Sequence, residues 1–140
     1  MRYLSGTRTT VLHAKPDDGA PLPLRPVSYT VADYAGDDKD RKSISTGIQF
    51  VNGMVAGWHC KKQTAVALST AEAKFISAAI GGVEVLGIKE LVMEIGVQVK
   101  TPVVLKIDNQ AAIHQIDNEA ASSNSKHVDI KMKFFCATKH

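Results

Sequence analysis

Apolar and polar residues alternate most regularly from Ser43 to Val51, where Ile44, Thr46, Ile48 and Phe50 share one face at the period of two that marks a strand. Asn52-Gly53 follows, and MVAGWHC continues as a second strand. Both turn residues tolerate positive φ, so the pattern predicts a two-residue β-hairpin. Upstream, VSYTVA (residues 27–32) has the β-branched and aromatic content of a strand, broken by the charged run GDDKDRK (residues 36–42). Downstream, Ser69-Thr70-Ala71-Glu72 has the form of a capping box, and Phe75, Ile76 and Ala79 continue at helical spacing. After Gly81-Gly82, the residues Val83, Leu86, Leu91, Val92 and Ile95 do the same until Gly96 stops the helix. Each glycine costs about 1 kcal/mol relative to alanine, so a kink or two helices are expected at the pair.

Pro102 then opens VVLKI, a near-continuous apolar run expected for a strand buried on both faces. Asp108-Asn109 closes it and caps a short helix, QAAIHQI. The loop DNEAASSNS leads to a last stretch, HVDIKMKFFCATKH, expected to be helical. Strand, hairpin, helix, strand, helix, helix is the order of an α/β or α+β domain with a mixed sheet.

Composition narrows the class. At 140 residues, 44% hydrophobic and 22% charged, the chain has one domain's worth of an ordinary globular sequence. No apolar run approaches the ~20 residues a bilayer requires, which excludes a membrane-spanning helix. Cys60 and Cys136 are the only cysteines; they form neither a disulfide framework nor a Cys-x-x-Cys pair, and a reducing intracellular compartment is expected. The histidines do not cluster at metal spacing, and nothing points to a small-molecule cofactor. Residues 14–27 hold four of the five prolines and read as a linker. The first fifteen residues are basic and free of acids, which fits either an organelle transit peptide or the tail of a preceding domain.

The net charge of +3 is compatible with a polyanionic partner without requiring one. Arg41-Lys42 and Lys61-Lys62 have two readings. They contact phosphates with Trp58 nearby, or they are solvated hairpin ends with Trp58 packed on the core.

Five blocks carry a resemblance. Arg2-Tyr3-Leu4-Ser5-Gly6-Thr7 resembles the Arg-Tyr-Leu-x-Gly-Thr segment that closes the reverse transcriptase region of copia-type retrotransposon polyproteins. YTVADYAG (residues 29–36), within ADYAGDDKDRKSISTG, resembles the family's Tyr-Ser-Asp-Ala-Asp-Trp-Ala-Gly block. GWHCKKQTAVALSTAEAKF, IDNQAAI and SKHVDIKMKFF resemble later blocks of the adjoining ribonuclease H domain, in the same order. The resemblance implies residues 1–27 as a reverse transcriptase tail plus linker, and residues 28–140 as a ribonuclease H-like α/β domain. Its mixed sheet would combine an antiparallel hairpin with a parallel strand, and its C-terminal strand and helix would be missing.

Ribonucleases H hydrolyse the RNA strand of RNA/DNA hybrids with two divalent ions, Mg²⁺ or Mn²⁺, about 3.5–4 Å apart. Such hard ions take oxygen ligands, so carboxylates must converge from several elements. The resemblance places the first ligand at Val31, which cannot coordinate a metal, and the second at Lys74, which brings a cation instead. The third matches, as Asp108. The fourth belongs to a segment beyond His140. Asp33, on the same strand face as Val31, is a candidate substitute, and Glu72 a weaker one, since its helical position turns it away and the capping box accounts for it. Asp108 is read equally as ligand and as helix cap. Asp129 falls in a block outside the catalytic set, and His127 reads as a solvated or helix-end residue.

Three functions follow from this pattern: a degenerate domain with little or no catalysis, a nuclease improvising its site from Asp33, Glu72 and Asp108, or a module that binds nucleic acid or protein without cleaving. Absence of the last strand would also leave VVLKI as an exposed edge, a surface for self-association.

Overall fold

A computed structural model describes Thr9, residues 22–121 and residues 135–139. β1 (Pro26–Asp33) pairs antiparallel with β2 (Ile44–Val51), from Pro26↔Val51 to Asp33↔Ile44. Asn52 (φ 49°) and Gly53 (φ 80°) take the positive φ the hairpin requires and return the chain as β3 (Met54–Lys62). The ladder of β2 and β3 carries one irregularity, between Gln49 and Phe50. α1 (Thr70–Glu94) crosses back over the sheet, β4 (Val103–Ile107) pairs parallel with β1, and α2 (Gln110–Ala121) follows. β5 (Phe135–Lys139) adds in parallel to β4, giving the order β3-β2-β1-β4-β5. The sheet lead-in reaches into the proline-rich segment, where Leu24 bridges Val99 and accepts from the Lys100 amide at 2.7 Å.

β5 corrects two expectations. Residues 135–139 form a strand, not the end of a helix, and the last strand of the sheet is present. The backbone groups of VVLKI need partners, and β5 supplies them along the side that β1 leaves open. β4 is therefore an interior strand, which removes the basis for self-association through it. Residues 122–134, with His127 and Asp129, lie outside the described part of the chain.

The double glycine also behaves otherwise than expected. α1 runs unbroken for 25 residues through Gly81-Gly82. Its sheet-facing side is made of small residues, Ala73, Ser77, Ala78, Gly81 and Gly82, followed by Val85 and Leu86. A Cβ at Gly81 would overlap Thr30 Cγ2 on β1, so the glycine marks the closest approach of helix and sheet. Val83, Leu91 and Ile95, which the apolar spacing singled out, are exposed.

Close approach inverts the usual polarity of the sheet. Under α1 lie Ser28, Thr30, Ser45 and Gln49, all buried, with Gln63 at the sheet's margin. Their donors bond locally: Gln63 Nε2 donates to Ser45 Oγ and to the Ala73 carbonyl, both at 2.9 Å, and Gln49 Nε2 reaches Ser28 Oγ at 3.4 Å, while Gln63 Oε1 is buried with no partner among the described residues. The other face carries the apolar stripe seen in the sequence. Tyr29 and Phe50 meet edge to face there, with centroids 5.6 Å apart. Trp58, opposite Ile48 on that side, is 72% exposed instead of packed on the core. β4 is likewise buried on one face only: Val103, Leu105 and Ile107 are covered, and Val104 and Lys106 are half-buried. Leu105 and Ile107 pack with Ala78, Ala112, Ile113 and Ile116 into the main apolar cluster. No helix among the described residues is long and apolar enough to cross a membrane.

Candidate functional site

Strands β1 and β4 run side by side in the same direction, so their carboxyl ends open at one edge of the sheet. The register is Thr30↔Ile107, which makes Val31 and Asp108 the next positions along on adjacent strands. Ser77 Oγ of α1 donates to the Val31 carbonyl at 2.8 Å and fixes the helix over this end. One turn before Ser77, Lys74 reaches the same place. Its Nζ donates to Asp108 Oδ2 at 2.7 Å, with side chains 21% and 34% exposed. The three elements that the resemblance assigns to metal binding thus converge, but they bring an isopropyl group, an ammonium and one carboxylate.

Two roles for Asp108 were open, and the structure separates them. Asn109 Oδ1 accepts from the Ala112 amide at 2.9 Å, so Asn109 caps α2. Asp108 is left to Lys74. Glu72 is occupied at the start of α1: its Oε2 accepts from the Leu68 amide at 2.6 Å, while Ser69 Oγ accepts from the Glu72 amide at 3.1 Å. This is the capping box with the return bond made one residue upstream of the cap. The Asp33 carboxyl lies across its own turn, where a Cβ on Gly36 would overlap it. Asp33, Glu72 and Asp108 therefore do not gather, and among the described residues no three His, Cys, Asp or Glu side chains are placed to hold a metal ion. A hard divalent cation wants several oxygen donors. One carboxylate already bonded to a lysine does not fit Mg²⁺ or Mn²⁺.

The candidate phosphate contacts are partly brought together and partly neutralised. Lys62, at the end of β3, donates to Asp37 Oδ2 at 2.7 Å and lies 2.9 Å from Asp40 Oδ2. Lys42 lies 3.7 Å from the same Asp40 carboxylate. Arg41 takes positive φ (57°), and its amide donates to the Asp37 carbonyl. Lys61, facing the helix side, borders a groove with Phe75, Ile76 and Glu84. Asp37 and Asp40, the acidic partners of Lys42 and Lys62, stand in the same GDDKDRK run as Arg41 and Lys42, but only the folded loop pairs them.

The bond from Lys62, assisted by the Lys39 and Asp40 amides, lowers the Asp37 carboxyl from 3.8 to about 2. Asp37 in turn raises the Lys62 ammonium above its ordinary value. A depressed acid contributes stability above its unfolded pKa and loses it as pH falls, here from 3.8 down through about 2. The expected NMR titration of Asp37 has its midpoint near 2, moving toward 3.8 in Lys62→Ala. A midpoint unmoved by that substitution would show that the pair does not form in solution. Being exposed, the pair is also expected to weaken with salt.

The strand order, the two helices and the parallel pairs make this a ribonuclease H-like fold. It aligns over 83% of its length with LC11-RNase H1, a structure solved with an RNA/DNA hybrid, at a TM-score of 0.51 and 9% identity, covering 85% of that chain. By sequence the chain is a homologue of Pol polyproteins of copia-type transposons. It is 39% identical over 132 residues, 94% of its length, to the retrovirus-related Pol polyprotein from transposon TNT 1-94 of Nicotiana tabacum. It is 33% identical over 134 residues, 96% of its length, to that from transposon RE2 of Arabidopsis thaliana. The chain spans 9% of the length of each of these relatives. No protein-family model matches it.

Proposed function

We propose that this chain is a retrotransposon-derived ribonuclease H-like domain whose hydrolysis of RNA/DNA hybrids is impaired or lost. The domain runs from the start of β1, so Pro26 and Val27, which the sequence pattern assigns to the linker, belong to it, and the residues before β1 are read as a reverse transcriptase tail and its linker. One observation carries the reading: of the three family ligand positions within the described residues, Val31, Lys74 and Asp108, only Asp108 is a carboxylate, and its partner is Lys74 at 2.7 Å. Two-metal hydrolysis needs carboxylates to hold two cations against the attacking and leaving oxygens. An ammonium within bonding distance of the one matched ligand opposes both ions by charge. At an effective dielectric near 20, one unit charge pair about 4 Å apart is worth roughly 4 kcal/mol, and a divalent ion doubles it before solvent screening.

Binding is a separate matter from cutting. The solved neighbour holds an RNA/DNA hybrid, and a shared fold makes hybrid the first nucleic acid to test. The acids around Lys62 and Lys42 reduce the cationic surface on which such binding depends.

A labelled RNA/DNA hybrid incubated with the chain in Mg²⁺ or Mn²⁺ is expected to remain intact over times in which an active ribonuclease H digests it fully. Metal-dependent cleavage that disappears in Asp108→Asn would overturn the proposal. Salt-dependent retention of uncut hybrid would identify a binding module.

A further inference from the structure

We infer that the Lys74 ammonium is the resident cation of this site, tethered beside Asp108 so that this carboxylate is balanced without a metal. The inference deepens the reading above. That reading concerns cleavage, whereas this one concerns which cation balances Asp108.

Four observations support it. Lys74 and Asp108 come from elements 34 residues apart and meet at 2.7 Å with both side chains largely covered, Lys74 the more so. α1 is held over this spot by the Ser77 bond to the Val31 carbonyl and by the close approach at Gly81, so the lysine's base is fixed. Asp108 has no cap to make, because Asn109 makes it. Val31, the adjacent strand position, has no side-chain oxygen, and among the described residues no three His, Cys, Asp or Glu side chains are placed to hold a metal ion.

Charge and coordination chemistry then agree. The pair sums to zero, and an ammonium needs only an acceptor within reach, which Asp108 supplies. A divalent ion would need further oxygens and would have to displace the tethered charge. Replacing Lys74 by glutamate moves the local charge from zero to minus two. Adding aspartate at position 31 makes it minus three and supplies oxygens from each of the three converging elements.

The test is Mn²⁺ binding by the whole chain without nucleic acid, read by the paramagnetic signal of free Mn²⁺ and by melting temperature. The wild-type chain is expected to show no saturable site at millimolar Mn²⁺. The folded Val31→Asp/Lys74→Glu chain is expected to bind at least ~100-fold more tightly and to melt higher with Mn²⁺. Adding Asp108→Asn should remove that gain. A folded double variant that binds Mn²⁺ no better than wild type would overturn the inference.

A second measurement needs no variant. The Lys74 ammonium resonance of the wild-type chain is expected to stay sharp when Mn²⁺ is added. Broadening of Lys74 and Asp108 signals would show metal displacing the lysine, and the inference would fail. The two proposals fail separately: hybrid cleavage by a chain with no Mn²⁺ at Asp108 overturns only the earlier one, and Mn²⁺ at Asp108 without cleavage overturns only this one.

Discussion

Gly81→Val should lower stability by more than about 3 kcal/mol, a large fraction of the ~5–15 kcal/mol that holds a domain of this size together. A Cβ at position 81 would overlap Thr30 Cγ2 and lie 3.0 Å from Ser28 Oγ. Neither neighbour can yield. Thr30 and Ser28 are buried on the central strand, and threonine is stiff at χ1. The remaining response is for α1 to lift, which would open the contacts of Ala73, Ala78 and Val85 as well. Gly81→Ala sets two effects against each other: helix propensity gains about 1 kcal/mol, while overpacking costs about 1–3 kcal/mol. The overlap is with a buried, branched side chain, so overpacking wins and a net loss is expected. Gly87 lies in the same helix with no atom within 4 Å of its would-be Cβ, and Gly87→Ala is expected to stabilise. Urea unfolding followed by circular dichroism separates these cases. If Gly81→Ala and Gly87→Ala raise stability alike, the close approach is not present. Thr30→Ser, which removes the obstructing methyl, should recover part of the loss in Gly81→Ala.

That glycine also shows how far the sequence could be read. Local signals held wherever the determining chemistry was local. Asn52-Gly53 turned the hairpin, Ser69 and Glu72 started α1, and Gly96 ended it with φ of 82°. Gly81-Gly82 looked like a break because propensity counts only the cost within the helix. The compensating fact, a strand with Ser28 and Thr30 packed against it, lies about fifty residues away. β2 formed as its alternation predicts, with Ile44, Ile48 and Phe50 on one face, but which face lies under α1 was not legible: small and polar residues take that place because only they admit a helix so near. β5 was missed because its demand comes from the unpaired side of β4 and not from its own pattern. At the site, resemblance placed Val31, Lys74 and Asp108 on converging elements. It did not show that two of them are bonded, or that Asn109 frees Asp108 from capping. Asp37 and Asp40 were visible as charges, but their claim on Lys62 required the fold of the β1–β2 loop.

Ile107→Ala is expected to cost about 3–4 kcal/mol and to disturb the site as well as the core. Ile107 is fully buried, between Leu105 and the apolar side of α2 formed by Ala112, Ile113 and Ile116. Truncation removes apolar contacts and leaves a cavity that a strand hydrogen-bonded on both sides cannot readily close. Ile107→Val removes one methylene and is expected to cost only about 0.5–1.5 kcal/mol. By contrast, Lys74→Ala breaks a partly exposed ion pair and is expected to change stability by about 1 kcal/mol or less. Comparing urea midpoints across the three variants tests whether the core or the ion pair fixes this end of the sheet. The Lys74 ammonium signal supplies the link to the site, since Asp108 follows Ile107 directly and moves with it. In Ile107→Ala that signal is expected to broaden or vanish while the chain is still folded, because the carboxylate no longer sits where α1 delivers the lysine. Should Lys74→Ala prove as costly as Ile107→Ala, the charge pair would be a principal support of the fold, and the ordering of core above ion pair would be wrong.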